Sequence, residues 1–179
     1  MKIISTELSD CYLIEPDIFR DQRGLFFETF QKEKYKNIIG GEYEFVQDNF
    51  SKSRMGVLRG LHFQETKPQG KLIRVSSGTV LDVAVDLRPE SDSFGQWTKV
   101  ILSDENNLQF WIPPGFAHGF LSLSDNVHFE YKCTDYYDSN DERTIIWSDP
   151  DLSIEWPDDI KITLSKRDQN GKFFKEYNF

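Results

Sequence analysis

Apolar and polar residues alternate in many short runs along this chain. In the clearest run, residues 80–87, Leu81, Val83 and Val85 fall on one face and Asp82 on the other, as expected for a β-strand. Similar runs cover residues 70–75, 97–102, 108–112, 119–123 and 127–134, and Gly, Pro, Asn and Asp separate them. Strands that follow one another this closely predict an antiparallel sandwich or barrel.

Helical periodicity is weak by comparison. It occurs only at residues 31–39 and in part of the segment 155–179, and neither stretch is long enough to cross a parallel sheet repeatedly. The chain also lacks repeats, low-complexity tracts and linkers rich in Ser and Gly. We therefore predict an all-β jelly roll or barrel with a few short peripheral helices.

The composition is that of a folded chain, and its length suits a single domain spanning residues 1–179. A hydrophobic fraction of 38%, with 15 Phe, 7 Tyr and 4 Trp, excludes disorder. No run approaches the ~18 apolar residues of a membrane span, and residues 1–10 do not resemble a signal peptide. The isolated Cys11 and Cys133 are typical of a reducing compartment, so we expect a cytoplasmic protein with no membrane partner.

The formal net charge of −9 at pH 7 restricts the ligands that the chain can bind. Nucleic-acid binding relies on basic patches that neutralise phosphates, so we expect no nucleic-acid partner. A small anionic ligand is compatible with this charge, but it requires a local basic pocket that works against the field of the whole chain.

The residues around His128 and His118 indicate different environments for these two histidines. His128 lies opposite Phe129 and Tyr131 in strand alternation, so we expect it to point outward. His118 follows a tight Pro-Pro-Gly turn at residues 113–115. That position is compatible both with a hydrogen-bonded core histidine and with a site residue.

The turn at residues 114–118, Pro-Gly-x-x-His, resembles the second metal-binding motif of the cupin superfamily of small jelly rolls. A metal-binding cupin also has an earlier His-x-His pair and a Glu, because the ion takes three or four N and O ligands there. Here the earlier stretch reads His62, Phe63, Gln64. Phe63 has no ligating atom and Gln64 stands in place of the second histidine. We therefore predict no metal site, which leaves the histidines free for proton transfer.

Longer stretches of the chain are similar to the dTDP-4-dehydrorhamnose 3,5-epimerase family. The main ones are residues 57–64, 69–72, 94–97 and 111–120, and shorter ones are 23–24, 47–49, 131–132, 154–157 and Trp147. Together they extend over residues 13–168. The resemblance implies a cupin-type jelly roll that forms homodimers and uses neither metal nor nicotinamide.

The same resemblance implies a reaction. The family inverts C3 and C5 of a 4-keto-6-deoxy sugar carried on dTDP. A C–H bond beside a ketone is acidic because the carbanion spreads its charge onto the carbonyl oxygen as an enolate, and inversion then needs a base on one face and an acid on the other. Imidazole suits the base because histidine titrates near neutral pH.

The resemblance assigns four residues to this chemistry. It makes His62 the general base and Asp168 its carboxylate partner, Tyr131 the proton donor, and Lys71 the cation that stabilises the enolate oxygen. The position of Tyr131 supports its role, because strand alternation places it on the inward face with Phe129. The residues alone are also compatible with simple packing of its ring.

The resemblance further implies a set of substrate-binding residues. They are Arg23 and Arg59 for the diphosphate, Glu28, Gln47 and Asn49 for the nucleoside, Tyr136 for stacking on thymine, and Lys71, His118, Glu142 and Arg167 around the substrate. For Tyr136 and Glu142 a surface aromatic and a solvated acid are equally compatible with the residues. Arg167 stands where the family usually has lysine.

Arg59 and His62 are three residues apart, so a regular strand would send their side chains to opposite faces. A β-bulge at Gly60 would bring both to one face. We therefore expect a bulge there.

We expect the chain to convert dTDP-4-dehydro-6-deoxy-D-glucose to dTDP-4-dehydro-L-rhamnose. Three alternatives remain open. An epimerase that inverts only C3 or only C5 would need nearly the same site. A sugar-nucleotide-binding jelly roll without activity would not need the acid–base residues, and a metal-dependent cupin oxygenase would need the absent His-x-His pair.

Overall fold

Thirteen β-strands make up most of the regular structure in the computed structural model, which describes all of residues 1–179. The strands are β1 Lys2–Ser5, β2 Tyr12–Glu15, β3 Phe19–Asp21, β4 Gly24–Phe26, β5 Gln47–Ser53, β6 Leu58–Gln64, β7 Lys71–Ser77, β8 Thr79–Asp86, β9 Trp97–Ser103, β10 Gln109–Ile112, β11 Phe116–Ser122, β12 Val127–Cys133 and β13 Glu142–Thr144. The helices are α1 Lys32–Ile39 and α2 Lys166–Gln169, followed by a 3₁₀ turn at Phe174–Glu176. No helix is long and apolar enough to span a membrane.

The strands form two antiparallel sheets that face each other. One sheet has the order β1-β2-β10-β7-β12-β5 and the other the order β13-β6-β11-β8-β9, while β3 and β4 form a separate hairpin. Apolar residues from both sheets, such as Ile73, Phe110 and Phe129 on one and Ala84 and Phe120 on the other, share one core cluster. The predicted all-β jelly roll is therefore confirmed.

The six runs predicted as strands are β7 to β12, and their ends differ from the prediction by at most three residues. The largest difference is at β11, which begins at Phe116 directly after the Pro-Pro-Gly turn. The predicted helix at residues 31–39 is α1, and the side chain of Gln31 caps it by accepting a hydrogen bond from the Lys34 N–H. In the last 25 residues only α2 and the 3₁₀ turn are helical.

Strand β8 is buried on both faces. Val83 and Val85 on its outer face pack in a second apolar cluster with Ile145 and Leu152 of the C-terminal segment. Asp82 on its inner face is fully buried between the two sheets. The polar face of this strand thus lines the barrel interior, where a polar site can form.

A bulge interrupts the pairing of β6 with β11. His62 pairs with His118 and Arg59 pairs with Phe120, so two residues of β6 lie opposite the single residue Gly119. The expected bulge at Gly60 is therefore confirmed. Gly60 has a positive φ of +129°, and a Cβ on it would lie 2.5 Å from the Gly119 Cα, so only glycine fits.

We predict that Gly60→Ala lowers the free energy of unfolding by about 1 to 3 kcal/mol more than Gly24→Ala, because only the former creates a backbone clash. Gly24 is a matched control, since its φ is +125° and a Cβ there would meet nothing within 4 Å. Urea titration of both variants measures the difference. Equal losses of unfolding free energy in the two variants would show that backbone strain, and not the contact with Gly119, is the reason for glycine at residue 60.

Candidate active site

A cavity of about 450 Å³ lies between the sheets, next to α2. It brings together ten of the thirteen residues predicted for the site: Gln47, Asn49, Arg59, His62, Lys71, His118, Tyr131, Glu142, Arg167 and Asp168. Its volume is in the range of pockets that bind small molecules.

His62 and Asp168 form a hydrogen-bonded pair in this cavity. Strand β6 supplies His62, and its Nε2 lies 2.5 Å from the Asp168 Oδ1. Asp168 is held in turn by Ser165, the N-cap of α2, whose hydroxyl donates to the other carboxylate oxygen at 2.7 Å. Burial opposes ionisation of this carboxyl, but the hydrogen bonds from His62 and Ser165 outweigh it and lower the pKa of Asp168.

The second nitrogen of the His62 ring lies near another acid. Its Nδ1 is 3.8 Å from the Glu142 Oε1. Glu142 also pairs with the guanidinium of Arg167 and accepts a hydrogen bond from the Tyr137 hydroxyl at 2.7 Å. The imidazole is therefore placed between two carboxylates, of which only Asp168 is in hydrogen-bonding contact.

Lys71 and Tyr131 come from the opposite sheet. Lys71 on β7 is only 8% exposed, no carboxylate pairs with it, and burial lowers its pKa. Tyr131 on β12 faces inward as predicted, and burial raises its pKa to about 12. The site therefore holds a buried amino group without an acid partner and a protonated phenol, both available to a ligand.

His118 combines the two alternatives left open by the sequence. It is buried and its Nε2 lies 2.9 Å from the Asp82 Oδ1, but it also lines the cavity. Burial lowers the pKa of His118 and raises that of Asp82. Both shifts favour the neutral forms of the pair.

Strand β5 contributes a ladder of polar side chains to the cavity wall. Gln47 Nε2 donates to the Asn49 Oδ1 at 3.0 Å, and Asn49 Nδ2 donates to the Cys133 sulfur at 3.5 Å. Ser51 continues the ladder, and its buried hydroxyl has no hydrogen-bond partner. We had not predicted Ser51, although its spacing of two residues from Asn49 places it on the same strand face.

Arg23 and Glu28, which are also predicted to bind the substrate, lie outside the cavity of their own chain. Arg23 pairs with Asp21 at the exposed tip of the β3–β4 hairpin, and Glu28 pairs with Lys34 of α1. Within one chain the hairpin belongs to neither sheet of the barrel, which keeps both side chains away from the other site residues.

Tyr136 also lies outside the cavity, being 65% exposed, and its neighbour Tyr137 lines the wall in its place. Strand β12 ends at Cys133, so strand alternation no longer determines which side chain of the following loop points inward. Tyr137, and not the predicted Tyr136, is therefore the tyrosine of this loop that lies at the cavity wall.

The cavity does not offer a set of metal ligands. No three His, Cys, Asp or Glu side chains come close enough together to hold an ion. Phe63 lies in the stretch that replaces the cupin His-x-His pair. Its ring packs outside the barrel, with its centroid 5.2 Å from that of the Tyr177 ring.

Solved structures with closely similar folds include two that contain dTDP-sugars. One is the dTDP-6-deoxy-D-glucose-3,5-epimerase RmlC from Legionella pneumophila in complex with dTDP-4-keto-L-rhamnose, with a TM-score of 0.96 and 50% identity over 99% of this chain and 94% of that one. The other is the 3'-monoepimerase ChmJ from Streptomyces bikiniensis in complex with dTDP-quinovose, with a TM-score of 0.89 and 36% identity over 94% and 85% of the chains. These matches confirm the cupin-type jelly roll.

Sequence comparisons agree with the structural ones. A family model described as dTDP-4-dehydrorhamnose 3,5-epimerase matches residues 5–176. The dTDP-4-dehydrorhamnose 3,5-epimerase of Methanothermobacter thermautotrophicus is 50% identical over 177 residues, which cover 98% of this chain and 95% of that protein. The chain therefore belongs to the dTDP-4-dehydrorhamnose 3,5-epimerase family.

Proposed function

We propose that this protein inverts C3 and C5 of dTDP-4-dehydro-6-deoxy-D-glucose to give dTDP-4-dehydro-L-rhamnose. We infer that residues 1–179 act as one catalytic domain and that the reaction needs no cofactor. The observation that carries the proposal is the cavity in which the His62–Asp168 pair faces Lys71 and Tyr131. Membership of the family supports the substrate and the reaction.

The basic atom of His62 follows from its contact with Asp168. An ionised carboxylate only accepts hydrogen bonds, so the Nε2 atom must carry the proton and the Nδ1 atom has the free lone pair. Nδ1 removes the proton from the carbon beside the C4 ketone, and the electron pair of the broken C–H bond moves into the enolate. Asp168 orients the ring and stabilises the imidazolium that forms.

Lys71 is placed to stabilise the enolate. The negative charge that develops on the C4 oxygen needs a preorganised donor, and the buried ammonium of Lys71 has no acid partner that would compete for it. Its attraction to an oxyanion is strong because both charges are largely withdrawn from water.

Tyr131 completes the inversion from the other side of the sugar. His62 stands on the five-stranded sheet and Tyr131 on the six-stranded sheet, so a ring held between the sheets has the base on one face and the acid on the other. The phenol, whose pKa is raised, gives its proton to the carbon. His62 then releases its proton to water, and the phenolate takes one up.

The remaining cavity residues suit the nucleotide. Arg59 and Arg167 are guanidinium groups that can bind diphosphate oxygens in a forked geometry. Gln47 and Asn49 offer amides to the nucleoside. We assign the stacking role to Tyr137 and not to Tyr136, because Tyr137 lines the cavity wall.

We also propose that the protein acts as a homodimer. The β3–β4 hairpin exposes the rings of Phe19 and Phe26, which are 65% and 69% exposed, and a second copy of the chain would cover them. Arg23 is on this hairpin and Glu28 directly follows it. We infer that both contact the nucleotide in the partner's cavity, since neither reaches the cavity of its own chain.

A single-carbon epimerase is the second candidate. The similarity of the fold to that of a 3'-monoepimerase favours this alternative. Base, acid and enolate stabiliser would keep the same roles, and only the number of carbons that exchange protons would differ.

We predict that His62→Ala lowers turnover about 10²- to 10⁴-fold while the affinity for dTDP changes little, because the base acts on the sugar and not on the nucleotide. Turnover of the 4-keto sugar nucleotide and calorimetric titration with dTDP give the two quantities. His128→Ala is the control, since His128 packs against Phe50 and does not line the cavity, and it should change neither. Full turnover by His62→Ala would remove His62 from the mechanism, whereas dTDP binding without turnover in the wild-type protein would favour a binding protein.

We predict that Arg23→Ala raises KM at least about tenfold through loss of a charged hydrogen bond. Co-expression with His62→Ala should then restore the wild-type KM in the mixed dimers. Each mixed dimer has one cavity with an intact His62 and an intact Arg23 from its partner. Sedimentation checks the dimer, and failure of the mixture to restore KM would show that Arg23 acts within its own chain or not at all.

A further inference from the structure

Gln64, the last residue of β6, is buried at 5% exposure although its side chain takes no part in the proposed reaction. Its amide is engaged by the backbone. Nε2 donates to the carbonyl oxygens of Lys67 at 2.8 Å and Tyr136 at 3.2 Å, and Oε1 accepts from the Asp138 N–H at 2.7 Å. Both donor hydrogens and one acceptor site of the amide are thus used.

Two of these contacts flank Tyr137. The Tyr136 carbonyl and the Asp138 N–H lie on either side of it, and the Tyr137 N–H itself donates to the Gln47 Oε1 at 2.9 Å. Two glutamine side chains therefore bind three neighbouring backbone groups. Since Tyr137 lies in the irregular segment between β12 and β13, no strand ladder places it.

The turn that carries the Lys67 carbonyl, the other group bound by Gln64, is also held by hydrogen bonds. Asp141 accepts hydrogen bonds from the backbone N–H groups of Thr66 and Lys67 at 3.0 and 2.9 Å. The carbonyl of Lys67 that Gln64 binds thus belongs to a turn that is itself held in place. Gln64 therefore links a fixed turn to the segment that carries Tyr137.

We propose that Gln64 is a positioning residue that holds Tyr137 in the cavity wall and so sets the affinity for the nucleotide. This inference rests on the proposed function, in which Tyr137 stacks on the nucleobase. Without the amide, the Tyr136 carbonyl and the Asp138 N–H would lose their partner in a partly buried segment, at a cost in free energy. The segment would relieve this cost by moving towards water, and the Tyr137 ring would move with it.

The test compares Gln64→Leu with Gln64→Glu. Gln64→Leu removes all three hydrogen bonds. Gln64→Glu keeps the shape of the side chain and the acceptor for the Asp138 N–H but loses both donors. The glutamate variant replaces the leucine variant in the test if the latter does not fold. We expect KM and the Kd for dTDP to rise about tenfold in both, since at least two hydrogen bonds are lost. Turnover at saturation should change much less, because His62, Lys71 and Tyr131 are untouched.

The matched control is Gln96→Leu, the same substitution at an exposed glutamine outside the cavity, which should alter neither KM nor Kd. A double-mutant cycle with Tyr137→Ala shows whether Gln64 acts through the tyrosine. If it does, Gln64→Leu adds little to the loss of dTDP affinity that Tyr137→Ala already causes.

The outcomes separate the inference from the proposed function. Additive losses, a fall in kcat at unchanged KM, or wild-type dTDP affinity in both Gln64 variants would overturn the role of Gln64 alone. Unchanged dTDP affinity in Tyr137→Ala would remove the stacking contact and overturn the inference with it. Absence of turnover of the 4-keto sugar nucleotide by the wild-type protein would overturn the proposed reaction instead.

Discussion

A buried ammonium group without an acid partner is the constraint on which the rest of this site depends. Every carboxylate near Lys71 is engaged elsewhere: Asp168 with His62, Asp82 with His118, and Glu142 with Arg167 and Tyr137. Burying a charge without a partner is costly, and here the cost appears as the lowered pKa of Lys71. An anion that forms in the cavity would relieve this cost, and we therefore propose that Lys71 favours the enolate over the neutral ketone. The attraction of the cavity for an anion is local, because the chain as a whole has a net charge of −9.

The two-sheet architecture supplies the geometry that inversion requires. Strand β6 brings His62 from one sheet, and β7 and β12 bring Lys71 and Tyr131 from the other. In the proposed mechanism, a sugar held between them meets a base and an acid on opposite faces. The bulge at Gly60 brings Arg59 to the same wall as His62, where we propose that it binds the diphosphate.

The sequence predicted the features that depend on strand periodicity. Strands β7 to β12 alternate clearly, and the inward direction of Tyr131 follows from that alternation. Strands β1 to β4 and β13 have three or four residues each, and the seven residues of β5 are polar except for Phe50, so none of them shows the apolar alternation that predicts a strand. The spacing of Arg59 and His62 even indicated the bulge.

Residue positions that depend on hydrogen bonds or contacts between distant parts of the chain could not be predicted from strand periodicity. Tyr137 follows the end of β12, where the side that a residue faces depends on hydrogen bonds to Gln64 and Gln47 from distant strands. His62 and Asp168 are 106 residues apart, and only the family resemblance suggested that they meet. Arg23 is on a hairpin that pairs with neither sheet of the barrel, so the strand pattern does not place it.

The most direct test of this account is turnover of the 4-keto sugar nucleotide in heavy water, followed by NMR of the exchanged carbons. Proton removal by His62 and return from Tyr131 predict deuterium at both C3 and C5, because the proton that returns comes from solvent. Label at only one of these carbons would contradict the two-carbon inversion. Turnover without any label would contradict proton abstraction as the chemistry of this site.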